Sequence, residues 1–257
     1  MKKYPRHIFF FLFWPFIASI ISFWFQLDIF YSSLTFLAVP AVYLSFLLPK
    51  MVKKVAIFSI LSTVPFSITI DYIAHYTNQW QVLNGPFPRF LGYVSIEDVI
   101  WVVFFSFFAI MFYEYFIDFS RKRNIWNPRM KILAGFTWGL FLLFLALYFF
   151  FPTALNIPYF YLVAGLLFLV TPSIVELLRR PKLLSKFILV IFYFFFFALI
   201  YELTALKLGQ WTFPGNQYIG WVQIFGLQFP FEELFFGFLF YSTIVLVCYE
   251  AFDDDEK

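Results

Sequence analysis

The chain has 257 residues, 63% of them hydrophobic and only 13% charged, with a net charge of +3 and a mean hydropathy of +0.83. This excludes a water-facing globule, because 44 phenylalanines exceed what a soluble core of this size can hide. A transmembrane β-barrel is excluded as well, since its strands alternate over about 10 residues whereas these apolar runs are continuous over about 20.

Lys2, Lys3 and Arg6 precede an apolar stretch, as in a signal peptide. The stretch continues to Phe25 without a small-x-small cleavage site, so it reads as a first span. Eight apolar segments are expected in all, roughly His7–Gln26, Tyr31–Leu48, Val55–Ala74, Val94–Ile117, Ile132–Phe151, Tyr159–Leu178, Phe187–Leu206 and Phe229–Tyr249. Two connections, His75–Tyr93 and Lys207–Gln228, are long and rich in polar, Gly, Pro and Trp residues. A cytoplasmic N-terminus puts 16 of the 18 Lys and Arg residues on the inner face and leaves only Arg89 and Lys207 outside. The expected fold is an all-α integral membrane protein of the cell membrane, with about eight transmembrane helices and both termini cytoplasmic. It divides into a first repeat over 1–120, a basic linker over 121–131, a second repeat over 132–252 and an acidic tail over 253–257. Four spans per half make the repeats parallel, related by an axis along the membrane normal.

The repeat is visible in the polar residues. Asp71 precedes Trp80 by nine residues, and the pair Glu97-Asp98 then opens an apolar run closed by Tyr113-Glu114. Glu202 precedes Trp211 by the same nine, and Glu232-Glu233 opens a run closed by Tyr249-Glu250. The offset is 131 residues for the first two landmarks, 135 for the acidic pair and 136 for the closing Tyr-Glu. Six carboxylates are thereby expected at one depth, beneath loops carrying Trp80, Trp211, Trp221, Asn78, Gln79, Asn84, Asn216 and Gln217.

Two readings of these acids stand side by side. Ser95-Ile96-Glu97-Asp98 fits a capping box, and Pro230 ahead of Glu232-Glu233 puts a proline and two acids early in a helix. Acids there gain roughly 0.3–1 kcal/mol from the helix macrodipole. A carboxylate at the membrane centre costs about 2.5–3.5 kcal/mol, and capping needs one acid rather than two. Adjacent helical residues point about 100° apart, so one acid of each pair can hold the helix end while the other faces a cavity. Glu114, Glu176 and Glu250, at the opposite ends, read as ion-pairing residues beside the Lys/Arg runs. Trp14, Trp24 and Trp138 read as an interfacial belt, and Gly135-x-x-x-Gly139 as a helix contact.

Absences narrow the chemistry. There is no G-x-G-x-x-G, no P-loop, no H-E-x-x-H and no D-D-x-x-D. One cysteine, Cys248, excludes an internal disulfide, and His7 and His75 cannot build a multi-His site, so no metal and no cofactor is expected. What remains is carboxylate chemistry in an apolar chamber. Desolvation and like-charge neighbours both favour the neutral form of a carboxyl. A carboxylic acid kept neutral in a dry site can protonate an alkene, and aromatic faces and a second carboxylate can stabilise the cation that follows.

At these residues the chain resembles the integral-membrane lycopene cyclases, which occur as two small subunits or as a tandem fusion. Their hallmark is Pro-x-Glu-Glu opening a Leu/Phe-rich helix, here Pro230-Phe231-Glu232-Glu233-Leu234-Phe235-Phe236. The first half carries Ser95-Ile96-Glu97-Asp98-Val99, with Ser in the proline position and Asp98 for the second Glu. The resemblance covers about 32–118 and 160–252. It implies a non-redox reaction in which an acid protonates C2 of an acyclic carotenoid end, the cation closes a six-membered ring, and a base removes a proton. It also implies Glu232 and Glu233 as acid and base, with Glu97, Asp98, Glu202 and Asp71 completing or mirroring the site. Trp80, Trp211, Trp221, Asn78 and Asn216 would contact the substrate. The expected partners are a lipophilic, lycopene-like carotenoid and membrane lipid, with no nucleic acid. Self-association or association with other carotenoid enzymes is compatible with this picture. Competing readings are a carotenoid hydratase, which would deliver water to the same cation, a proton-coupled carrier, and a purely structural subunit.

Overall fold

The apolar runs form eight helices long enough to cross a bilayer in a computed structural model of the protein, which describes residues 4–119 and 127–253. They are α1 His7–Phe25, α2 Ile29–Leu47, α3 Val52–Tyr76, α4 Ile96–Asp118, α5 Met130–Phe150, α6 Phe160–Arg179, α7 Lys182–Leu208 and α8 Glu233–Phe252. The protein is therefore a multi-pass membrane protein by length and composition of its helices. Lys2, Lys3, the basic residues Arg121 to Arg123 of the linker and the tail beyond Asp253 lie outside the described residues.

Four of the helices contain wide π turns: Leu34–Ala38 in α2, Glu114–Asp118 in α4, Gly165–Val170 in α6 and Glu233–Phe240 in α8. In α2 and α6 a proline follows at once, Pro40 and Pro172. Proline has no N–H to give the preceding turn, and a widened turn absorbs the missing bond without a sharp kink. The turns begin at Leu34 and Gly165, which keeps the 131-residue offset of the repeat and extends it into a pair of helices with no shared polar landmark.

The two halves interlock. α3 packs on α4 of its own half and on α5 of the other, while α7 packs on α8 and reaches back to α1. Between them Phe105 and Phe108 of α4 meet Phe194 and Phe197 of α7 in edge and tilted contacts, at ring separations of 5.0 to 5.6 Å. These four rings are fully buried. Large apolar side chains such as Phe9, Phe13, Leu142, Phe149 and Phe192 point outward, as a surface bathed by lipid requires.

At one end of the bundle the connections after α3 and α7 pair as two short antiparallel strands, β1 Gln81–Val82 and β2 Trp211–Thr212. Gln81 faces Thr212, its own repeat equivalent, so a local two-fold axis passes through that pair. At the other end the halves exchange buried hydrogen bonds. Tyr113 donates to Glu250, and Tyr249 donates to Glu114 over 2.6 Å. Glu250 is also 3.7 Å from Lys186, which binds Asp118 at 2.6 Å, and Glu176 pairs with Arg180 at 2.9 Å.

Two local expectations need correction. The eighth span does not begin at Phe229: that residue lies in a hairpin of β3 Trp221–Ile224 and β4 Leu227–Pro230, and helix starts only after Pro230. A proline at the last strand position lacks a ladder donor and fits the strand-to-helix junction. The Trp14 indole N–H donates to the Thr35 carbonyl at 3.0 Å and ties α1 to α2. Gly135 and Gly139 make no contact within the bundle: nothing stands within 4 Å of where a Cβ would sit at either.

Candidate functional site

Asp71 lies one turn and a half before the end of α3, and its carboxylate accepts from an indole and a backbone N–H. The Trp80 indole reaches Oδ1 at 3.1 Å and the Ser95 backbone N–H reaches Oδ2 at 2.6 Å, while His75 Nδ1, 3.0 Å from Oδ1, bonds the Asp71 backbone carbonyl at 3.0 Å. His75 Nε2 in turn accepts the Val82 N–H at 3.2 Å, which assigns the ring proton to Nδ1 and the donor role toward Asp71. The second half repeats the central contact: the Trp211 indole donates to Glu202 over 3.0 Å. The nine-residue spacing from acid to tryptophan is thus the length of chain needed to leave the helix, turn, and lay an indole back over the carboxylate.

The adjacent acids part company. Glu97 is 1% exposed and turns into the preceding loop, where it accepts the Phe87 N–H at 2.9 Å and the Ser95 hydroxyl at 2.8 Å. Gly85 lies against that carboxylate, and a Cβ there would collide with it. Glu232, 0% exposed, does the same work by accepting the Ile219 N–H at 2.7 Å. Asp98 and Glu233 face the other way, into the space beneath the loops. The capping box at Ser95 is only half formed, with the Asp98 N–H 3.4 Å from the hydroxyl. Its other half, the bond to the Ser95 N–H, comes from Asp71 on the neighbouring helix, which leaves the Asp98 carboxyl free of capping duty. Glu233 starts the π turn of α8, accepts the Tyr161 hydroxyl, and packs against Gly237, where a side chain would strike it.

Asp71, Asp98, Glu202 and Glu233 line one cavity of about 210 Å3 between α3, α4, α6, α7 and α8. Its walls are built largely from repeat-equivalent pairs: Phe66 with Phe197, Trp80 with Trp211, Val82 with Phe213, Trp101 with Phe236. The rest of the lining is largely apolar, with further polar atoms from Ser67, Trp101, Tyr161, Tyr201 and Tyr241. Among the described residues, no Lys or Arg forms an ion pair with any of the four carboxyls. Arg89 instead donates to the Val82 carbonyl. The Trp101 indole N–H is buried at the cavity wall without a partner.

The other expected substrate contacts lie elsewhere. Asn78 and Asn216 border a separate polar cleft above the loops together with Gln81 and Gln217, and the Asn78 side-chain oxygen accepts from Gln81 at 2.8 Å. Trp221 lies on the hairpin, 45% exposed, edge-on to Tyr218 at 4.9 Å. Tyr218 donates to the Gln79 carbonyl, and burial, followed by the nearby Glu232 and Glu233, pushes its phenol above the ordinary range.

His75 beside Asp71, and Tyr161, Trp101, Tyr201 and Tyr241 on the cavity wall, escaped the sequence reading. His75 carried a signal, since it lies one helical turn after Asp71; Tyr161 carried none among the other aromatic residues of α6. Asp71, His75 and Asp98 place ligand atoms within 4.8 Å of one another, close enough for a divalent cation. Both ring nitrogens of His75 are already used within the protein, and its repeat equivalent is Leu206, so the chain satisfies this group without an ion. Comparison with protein-family models, with curated proteins and with solved structures finds no match to this chain.

Proposed function

We propose that the protein is a carotenoid cyclase of the lycopene type, acting in the cell membrane on an acyclic end group. The observation that carries this reading is the convergence of four carboxyls from two repeats on one apolar cavity, roofed by two tryptophans that hold two of them. Paired carboxyls out of water share protons, and one neutral member beside one ionised member is the pairing that acid–base chemistry on an unreactive partner requires. Glu233 and Asp98 are the groups placed to give and take a proton. Asp71, held by the Trp80 indole and the Ser95 N–H, supplies negative charge to the carbocation, Glu202 shares a proton with Glu233, and the faces of Trp80 and Trp211 add cation–π stabilisation. Glu97 and Glu232 position the loops.

The proton given to C2 of the end group balances the proton lost after ring closure, so the product is an isomer and no oxidant enters. The largely apolar lining favours this outcome over hydration, because it offers few groups to hold a competing water beside the cation. The distribution of Lys and Arg supports cytoplasmic termini, with the β1–β2 end facing out.

The test is expression in a lycopene-accumulating host, with chromatography and mass analysis of the pigments. Cyclic product of unchanged mass is expected. Unaltered lycopene beside correctly inserted protein removes the reading, and a product heavier by one water replaces it with a hydratase. Glu233→Gln and Asp98→Asn are each expected to cost about 100-fold or more in turnover while the protein stays folded in the membrane.

A further inference from the structure

The cavity is built by a repeat and is nonetheless lopsided. α6 contributes Tyr161, Ala164 and Gly165 to its wall, whereas their repeat equivalents in α2, namely Phe30, Ser33 and Leu34, contribute nothing. The cause is one pair of equivalent positions. Ile70 of α3 and Tyr201 of α7 both line the cavity and each stands immediately before an acid. Ile70 is short and lets α6 form the wall behind it. Tyr201, 1% exposed, fills the corresponding flank. Its ring stacks on Phe36 of α2 at 4.4 Å with planes 15° apart, and its hydroxyl is 2.9 Å from Ser33 Oγ. On the α6 flank the opposite device appears: Gly165 has no side chain, and the Phe236 ring occupies the space a Cβ would need.

We propose that the chamber is single-ended. It takes one terminal segment of an acyclic isoprenoid chain, laid along Ile70, Ala164 and Phe236 between α3 and α6. That segment meets Glu233, which Tyr161 positions from the same flank, and Tyr201 closes the equivalent approach between α7 and α2. The proposal rests on the cyclase reading for the identity of the occupant and extends it to one substrate end per chain.

The probe is a C20 acyclic isoprenoid carrying a terminal diazirine, photolysed with the full-length protein in lipid bilayers and mapped by peptide mass spectrometry. Crosslinks are expected on α6 around Tyr161 to Leu169. Ile70→Tyr copies the closed flank onto the open one and should cut their yield by about tenfold. Gly165→Ala, which forces Phe236 into the chamber, should do the same if Ile70→Tyr does not fold, with insertion of each variant checked by size-exclusion chromatography. Crosslinks on α2 around Ser33 to Phe36, equal labelling of both flanks, no labelling, or undiminished labelling in a folded variant each overturn the proposal. Labelling does not require turnover. A chain that labels on α6 yet leaves lycopene unchanged keeps the single-ended chamber and loses the cyclase, and one that cyclises while labelling on α2 does the reverse.

Discussion

Glu97 and Asp98 are neighbours in sequence with opposite duties, and so are Glu232 and Glu233. The first of each pair ends in a backbone N–H of the loop before it, the second in the cavity. Removing a buried acceptor strands its donor, at a cost of about 1.5–3 kcal/mol when the acceptor is charged. Glu97→Ala and Glu232→Ala are therefore expected to lower the thermal midpoint in detergent. The isosteric Glu232→Gln should keep an acceptor for Ile219 and retain turnover to within a few-fold. Loss of turnover in Glu232→Gln at an unchanged midpoint would reassign that residue to the chemistry. The sequence offered the adjacent acids as pairs that can split, because neighbouring helical positions point about 100° apart, while the resemblance implied both Glu232 and Glu233 in the chemistry. Which member faces the cavity was not legible. It depends on where the preceding loop returns its N–H groups, and on Asp71 taking over the cap of Ser95, neither of which a local pattern records.

The helices were read well from hydropathy, and their ends less well. The eighth span shows why. Phe229 and Pro230 are as apolar as the helix that follows, so a hydropathy window cannot separate a strand from the first helical turn. The hairpin that intervenes turns on Phe225 and Gly226, both left-handed at φ 51° and 77°. A phenylalanine there is costly, roughly 1–2 kcal/mol against an ordinary conformation, and with 93% of its surface exposed it gains no packing in return. Phe225→Asn, which suits a two-residue turn followed by glycine, should raise the thermal midpoint of the detergent-solubilised protein. A lowered midpoint in bilayers alone would show that the ring inserts into lipid. The π turns of α2 and α6 had a sequence cause in Pro40 and Pro172, but those prolines alone do not distinguish a widened turn from a kink.

At the scale of the whole molecule, the halves are joined by more than the linker. Tyr113 and Tyr249 each donate to a glutamate of the opposite half, at the end of the bundle away from the cavity. Tyr113→Phe and Tyr249→Phe should each destabilise by about 1.5–3 kcal/mol, read as a lowered midpoint with cavity chemistry intact. The double variant is expected to fall short of the sum, because the two bonds share the neighbourhood of Lys186 and Lys54. The Tyr-Glu landmarks were visible as a repeat and read as helix-end pairing with basic residues. The crossing of the bonds between halves could not be read, since the sequence gives spacing within each half but no register between them.

The pairing of Gln81 with Thr212 has a corollary. On a two-fold axis a position meets its own copy, so every contact made there is one that a half-length chain could make with an identical chain. The exchanged Tyr–Glu bonds obey the same rule. Two identical four-helix chains making these contacts would form a symmetric homodimer, and joining them in one chain frees each half to differ, as Ile70 and Tyr201 differ at equivalent positions of the cavity wall.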